Sequence, residues 1–332
     1  MSEDRYSMAY PKLVQSESFD EPGLLSQDSF HEMLGSLEQN IGAVAVVSND
    51  RLRFLLLALI SQGHVLLEDS PGVGKTLTAK SLAQSIDSKF ARIQCTPDLL
   101  PSDITGTSIY NMNDSEFEFR PGPVFSNILL ADEVNRTGPR TQSALLEAMA
   151  EGQVSADGKM YGLPDPFMVI ATQNSMESHG VFPLPDSQLD RFLIKMSLGL
   201  PTAEQELEIL SRTEHGMKQA ECVLTIEDVK DMQDYVNAVE VAVPVKEYMV
   251  QLSRATREHP YISSGVSPRG TVLLQRASQA WAAMEGRIYA VPEDVKHVAP
   301  MVLPHRMAVR AAGQVDAEEL IREILDTVNV PL

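Results

Sequence analysis

Lys75 and Thr76 close the run Val65-Leu66-Leu67-Glu68-Asp69-Ser70-Pro71-Gly72-Val73-Gly74-Lys75-Thr76, in which an apolar strand enters a glycine turn and a helix begins near Lys75. These residue types, in this order, suit phosphate binding. Small residues let backbone N–H groups close around β- and γ-phosphates, and the helix N-terminus adds the positive end of its dipole. Lys75 would lie against the phosphates, with the Thr76 hydroxyl holding Mg²⁺. The candidate nucleotide contacts are therefore Ser70, Pro71, Gly72, Val73, Gly74, Lys75, Thr76 and Leu77. Asp69 stands where the general pattern G-x-x-x-x-G-K-[ST] has its first glycine, so its carboxylate must point away from the phosphates. A chance glycine turn between strand and helix is the plain alternative.

A second element bears on that choice. Asn127-Ile128-Leu129-Leu130-Ala131-Asp132-Glu133 is an apolar run ending in two carboxylates. Asp132 can orient a Mg²⁺ shell, and Glu133, one residue further along, can polarise an attacking water. An acidic strand end that caps the next helix is the bland reading, but paired with the loop the spacing favours hydrolysis over mere binding. At the end of the next apolar run, Ala171-Thr172-Gln173 leads to Asn174, an amide placed to hold that water; alone, such an Asn is a turn residue. Arg191, in Leu189-Asp190-Arg191-Phe192, and Arg269, in Ser267-Pro268-Arg269-Gly270, could spread transition-state charge. Surface ion pairing is the ordinary role for each.

The elements that must position these groups follow in order. Residues 1–27 are rich in Ser, Glu, Asp and Pro and predict a flexible tail. Phe30, Leu34, Leu37 and Ile41 recur at helical spacing, and a second helix is expected from Asp50 to Ile60 with Ser48 or Asn49 as N-cap. The loop helix runs to about Ser85, and Phe90 to Gln94 reads as a strand. Ile104 to Phe119 carries two β-like runs around an Asn-Asp turn, and Ala156-Asp157-Gly158 marks a second hairpin. A helix is expected from Thr141 to about Ala150, and Phe167 to Thr172 and Phe192 to Leu198 complete the buried strands. Strands alternating with helices give a three-layer αβα domain with a mostly parallel sheet over residues 28–199. From about residue 200 to 332 only helical patterns follow, predicting a small all-α domain. Within it Thr225-Ile-Glu-Asp is a capping sequence, Leu274, Ala277, Trp281 and Met284 share a core face, and Pro292 opens a helix.

Composition excludes several classes. With 46 acidic against 27 basic side chains and a formal charge of −19, the chain would repel nucleic acid and anionic lipid. The longest apolar run, Phe54 to Ile60, is far short of the roughly 20 residues needed to span a bilayer. Its polar, acidic start predicts no signal peptide, and two distant cysteines, Cys95 and Cys222, fit a reducing cytoplasm and are expected to be small core residues. The scattered histidines offer no transition-metal pair.

Taken jointly, the phosphate loop, Arg92-Ile-Gln-Cys-Thr-Pro-Asp-Leu-Leu-Pro-Ser-Asp-Ile-Thr-Gly-Thr107, Leu130-Ala-Asp-Glu-Val-Asn-Arg136, Ile170-Ala-Thr-Gln-Asn174, Pro183-Leu-Pro-Asp-Ser-Gln-Leu-Asp-Arg-Phe192 and Ser267-Pro-Arg269 closely resemble the MoxR family of AAA+ ATPases. The resemblance runs from about Phe30 to the C-terminus. It implies that Lys75 and Thr76 are the Walker A lysine and Mg²⁺ ligand, Asp132 and Glu133 the Walker B pair, and Asn174 the first sensor. It further implies that Arg269 is the second sensor, coupling a helical lid to the nucleotide, and that Arg191 is an arginine finger acting on a neighbouring subunit. Arg136 and Arg140 also follow the Walker B strand and are alternatives for an interface. The two hairpins resemble the helix-2 insert and the hairpin before the first sensor strand. One departure is that Val47-Ser48-Asn49 replaces the family's usual Val-Gly-Gln before the helix that contacts adenine. The resemblance implies an ATP- and Mg²⁺-dependent remodelling chaperone that forms a ring, most simply a hexamer. It would work with a separate protein carrying a von Willebrand factor A domain, in cofactor insertion or maturation of a client of unknown identity. A nucleic-acid motor and a non-hydrolysing, nucleotide-gated scaffold are the rival classes.

Overall fold

The computed structural model describes residues 25–70, 72–113, 115–174, 181–214, 219–310 and 315–330. The expected tail falls almost wholly outside them, as does Pro71. The elements are α1 (Gln27–Gly42), α2 (Asn49–Ile60), β1 (Val65–Glu68), α3 (Lys75–Ser85), β2 (Phe90–Gln94), α4 (Pro101–Thr105), β3 (Gly106–Asn111), β4 (Glu116–Pro121) and β5 (Ile128–Asp132). There follow α5 (Pro139–Glu151), β6 (Gln153–Ala156), β7 (Lys159–Gly162), β8 (Met168–Gln173), α6 (Asp186–Leu189) and β9 (Ile194–Met196). The remainder is α7 (Ala203–Glu214), α8 (Ile226–Ala238), α9 (Val243–Glu258), β10 (Ile262–Ser264), α10 (Pro268–Met284), α11 (Pro292–Val302), β11 (Ala308–Val309) and α12 (Ala317–Thr327).

Five strands form one parallel sheet in the order β2-β5-β8-β1-β9. Parallel strands need both faces covered, which is why these runs are continuously apolar instead of alternating. One face packs Val65, Leu67, Leu130 and Ile170 against α1, α2 and α3; the other packs Leu66, Leu129, Ala131 and Val169 against α5. Registers pair Leu67 with Thr172, Glu68 with Gln173 and Ala131 with Ala171, so β1, β5 and β8 end together at one edge of the sheet.

The core of the helices after α7 is continuous with that under α1 and α2. Phe30 stacks on Tyr235 of α8 with ring centroids 4.8 Å apart. Trp281 of α10 lies 3.9 Å from the His297 ring and 5.6 Å from Phe54, with the Arg53 guanidinium 4.6 Å from its ring centroid. The Leu274, Ala277, Trp281, Met284 stripe is thus core, and Thr225 with Asp228 closes the capping box of α8.

The structure corrects several details. Residues 101–105 are a short helix, so the first β-like run starts at Gly106 and not at Ile104. Proline at the first helical position and Asp103 accepting from the Leu100 N–H explain the helix. β9 stops at Met196 because Ser197, Leu198 and Gly199 turn to bond the Asp69 carboxylate. Within the helical part, β10 and β11 pair as a small antiparallel ladder that their shortness hid from pattern reading. Cys95 is buried as expected, but Cys222 is exposed. Among the described residues no helix is long and apolar enough to cross a membrane.

Candidate functional site

The glycine turn after β1 takes its shape from Gly72 and Gly74, both at left-handed φ (+90° and +89°). That region disfavours residues with a Cβ, and at both positions the space a Cβ would occupy is open. Gly74 is the N-cap of α3 and supplies no side-chain acceptor, so the helix's first N–H groups and its dipole face outward, as an anion cradle requires. Lys75 Nζ donates to the carbonyls of Asp69 (3.0 Å) and Ser70 (3.4 Å), which folds it back along the turn. Thr76 follows in the first turn of the helix.

The Asp69 substitution has a clear physical role. Its carboxylate is 5% exposed and points away from the turn, accepting from Ser197 Oγ (2.5 Å), Leu198 N–H (2.9 Å) and Gly199 N–H (3.2 Å). It pins the end of β9 to the phosphate loop, and the pinned segment walls the adjoining cleft. That cleft, about 800 Å³, lies between residues 43–48, the loop, and α7. Val44, Val47, Leu77, Leu198 and Ile209 give it largely apolar walls suited to a purine. Arg212 of α7 closes one lip by donating to the carbonyls of Gly42 and Ala43, both at 3.0 Å, at the C-terminal end of α1. The loop and the departure at residues 47–49 are legible in the sequence; the α7 wall and Arg212 are not, since the only signal of Arg212 is a cation late in an acidic helix.

At the neighbouring strand ends the carboxylates are held individually. Asp132, 5% exposed, accepts from Thr172 Oγ1 (3.2 Å) and pairs with Arg92 Nε (2.7 Å). Glu133 sits at φ +57°, ψ +49°, a left-handed conformation costing on the order of 1–3 kcal/mol that swings its side chain out of the strand direction. Its N–H donates to Thr172 Oγ1 (2.8 Å), and its Oε2 accepts from Gln94 Nε2 (2.9 Å) and Arg136 Nη1 (3.0 Å). Asn174, buried, follows β8, the strand between β1 and β5. Arg136 is thereby occupied at the end of β5, while Arg140 is exposed in the first turn of α5. Arg92 and Gln94, two residues apart on one face of β2, were not singled out from sequence, although strand periodicity places them together.

Arg191 and Arg269 lie elsewhere. Leu193 N–H donates to the His64 carbonyl (2.8 Å), so the residues before β9 flank the start of β1, not its loop end. β1 is four residues long, which separates the two edges by roughly 13 Å. Arg191, half-buried, donates to the Leu146 carbonyl (2.8 Å). Ser267, N-cap of α10, donates to Asp190 (3.2 Å), which also pairs with the buried Arg306 (3.0 Å); Arg269 follows Ser267 and is exposed. Burial pushes the Arg306 pKa down to about 10. Lys75, Thr76, Asp132, Glu133 and Asn174 therefore gather at one sheet edge, and the two arginines sit toward the other. Within one chain, Arg269 does not face the phosphate loop.

The residues fit Mg²⁺ with a nucleoside triphosphate: an open glycine cradle at a helix N-terminus, a lysine, a first-turn hydroxyl, and a buried carboxylate at the same sheet edge on β5, one strand removed from β1. Thr76 and Asp132 would hold the ion.

Comparison with known proteins agrees with this geometry. Residues 64–194 match the family described as ATPases associated with various cellular activities (AAA), and residues 254–324 match the AAA lid domain. An uncharacterized protein of Bacillus subtilis (strain 168), YeaC, is 49% identical over 92% of this chain and 97% of its own. The chaperone MoxR1 of Mycobacterium tuberculosis is 40% identical over 86% of this chain and 79% of its own. A solved structure from Cytophaga hutchinsonii superposes with a TM-score of 0.86 at 38% identity, covering 92% of this chain and 97% of that one.

Proposed function

This chain belongs to the MoxR family of AAA+ ATPases, and from that premise we propose that it hydrolyses ATP with Mg²⁺ to drive remodelling of a client protein. The observation that carries the reading is the gathering of Lys75, Thr76, Asp132, Glu133 and Asn174 at one edge of the sheet, where β1, β5 and β8 end, beside a cleft of about 800 Å³. The loop N–H groups and Lys75 bind the phosphates, and the Ser70 to Leu77 segment fixes their position. Thr76 and Asp132 would hold Mg²⁺, which when bound would neutralise phosphate charge. Glu133 polarises a water and Asn174 orients it. The water oxygen bonds to the γ-phosphorus as the bond to the β-phosphate oxygen breaks, and the water's proton passes to Glu133 before release with phosphate.

Arg191 and Arg269 are the proposed trans-acting groups. Their placement at the edge away from the loop suits a ring, most simply a hexamer, in which each serves a neighbour's ATP. Residues 28–199 act as the nucleotide-binding core and 200–332 as the lid. A separate von Willebrand factor A domain protein, work in client maturation or cofactor insertion, and a cytoplasmic location complete the reading. The formal charge of −19 favours it over a nucleic-acid motor. The intact Glu133 favours it over a non-hydrolysing scaffold.

Steady-state hydrolysis and equilibrium ATP binding, measured for wild type and Glu133→Gln, test the proposal. Turnover lost with binding retained supports it. Wild-type binding without turnover at any protein concentration supports the scaffold instead.

A further inference from the structure

The pairing of β2 with β5 sets Arg92 opposite Leu130 and Gln94 opposite Asp132. From the outer face of this edge strand, Arg92 reaches the Asp132 carboxylate. The two oxygens of Asp132 are engaged differently. Oδ1 accepts from the neutral Thr172 hydroxyl at 3.2 Å, a contact that Thr172 shares with the Glu133 N–H. Oδ2 meets the Arg92 guanidinium at 2.7 Å. The Arg92 side chain is 49% exposed and that of Asp132 is 7% exposed, so the cation stands at the solvent mouth of a carboxylate that is otherwise enclosed. A second contact from Arg92, to Gln94 Oε1, is long at 3.4 Å.

We infer that Arg92 competes with the divalent cation for Asp132 and so sets the Mg²⁺ requirement of ATP binding. The inference rests on the reading of Asp132 as the carboxylate of the Mg²⁺ shell. A guanidinium against Oδ2 opposes a divalent cation approaching the same group by like-charge repulsion and by occupying the oxygen's acceptor direction. Its half-exposed stem lets it rotate into water when the ion takes its place. Arg92 is therefore a positioning residue whose charge, more than its packing, matters. The competing account, that Arg92 merely holds Asp132 in a ligating rotamer, predicts an effect of opposite sign: removing it would disorder the carboxylate and raise the Mg²⁺ requirement.

Equilibrium binding of a non-hydrolysable fluorescent ATP analogue to the full chain, titrated with free Mg²⁺ and referred to each variant's own affinity in EDTA, separates the two. Arg92→Met should lower the Mg²⁺ midpoint about three-fold, the scale of a partly exposed ion pair. Arg92→Lys should stay near wild type. Added salt, which screens the pair, should draw wild type toward Arg92→Met. Asp132→Asn should raise the midpoint and make Arg92→Met silent in the double variant. A midpoint unchanged or raised in Arg92→Met, with Asp132→Asn raised, overturns the competition alone. A midpoint unaffected by Asp132→Asn overturns the reading of Asp132 and the inference with it.

Discussion

Replacing Asp69 with glycine would restore the general phosphate-loop pattern, yet it should damage the protein. The Asp69 carboxylate, 5% exposed, takes the Ser197 hydroxyl and the N–H groups of Leu198 and Gly199. Glycine removes the acceptor and leaves those donors in a largely enclosed site. Bonds to a charged group contribute about 1.5–3 kcal/mol each, but three bonds to one carboxylate are not additive, and the exposed end of the segment regains water. A net loss of about 3 kcal/mol follows. For a chain of this size that lowers the unfolding midpoint by about 5 °C. Because Leu198 and Gly199 also wall the nucleotide cleft, ATP affinity should fall several-fold. Thermal unfolding and equilibrium binding of a fluorescent ATP analogue measure both, with Asp69→Asn recovering part of each. An Asp69→Gly protein as stable as wild type that binds ATP as tightly would show that these three bonds do not hold the loop and cleft together.

Other expectations follow from single contacts. Gln94→Leu frees Glu133 from one amide donor worth about 1 kcal/mol, so basal turnover should rise about five-fold at unchanged ATP affinity, and steady-state kinetics would expose a fall instead. Arg212→Met should loosen the lip formed with Gly42 and Ala43 and weaken ATP binding while leaving Mg²⁺-free stability within about 1 kcal/mol, read by calorimetry and denaturant unfolding. His64 is buried; its Nδ1 accepts from Val169 N–H and its Nε2–H donates to the Met149 carbonyl, and burial pushes its pKa down to about 4. A folded-state value below the unfolded one means that its contribution is complete above about pH 6.5 and is lost as pH falls toward 4. Stability should therefore decline by up to about 3 kcal/mol over that window. Thermal midpoints against pH would show a shallower acid limb in His64→Gln, and an unchanged limb would contradict this.

Much of the nucleotide end was legible because its signals are local. Gly72, Gly74, Lys75 and Thr76 are contiguous, and the strand ending in Asp132 is an unbroken apolar run. What stayed hidden depends on strand order. That Gln94 reaches Glu133 and Arg92 reaches Asp132 follows from β2 lying beside β5, which the linear pattern does not state. That the Asp69 carboxylate points away from the turn follows from the motif, but its partners at the end of β9 do not. Arg269 sits at the start of a helix in a run that resembles the second sensor, yet the bond from Ser267 to Asp190 places it toward the sheet edge away from its own chain's loop. The short β10–β11 ladder and the exposed Cys222 likewise depend on tertiary context and not on residue type.

The proposed ring requires an ATP site completed between subunits, with Glu133 hydrolytic and Arg191 supplied in trans. Mixing two inactive variants tests it most directly: Glu133→Gln, which keeps Arg191, with Arg191→Ala, which keeps Glu133, across a protein concentration series. The account predicts that each alone is inactive, that the mixture regains a substantial fraction of wild-type turnover, and that this turnover rises steeply with concentration. A mixture as inactive as its components, or wild-type turnover per chain independent of concentration, would contradict it.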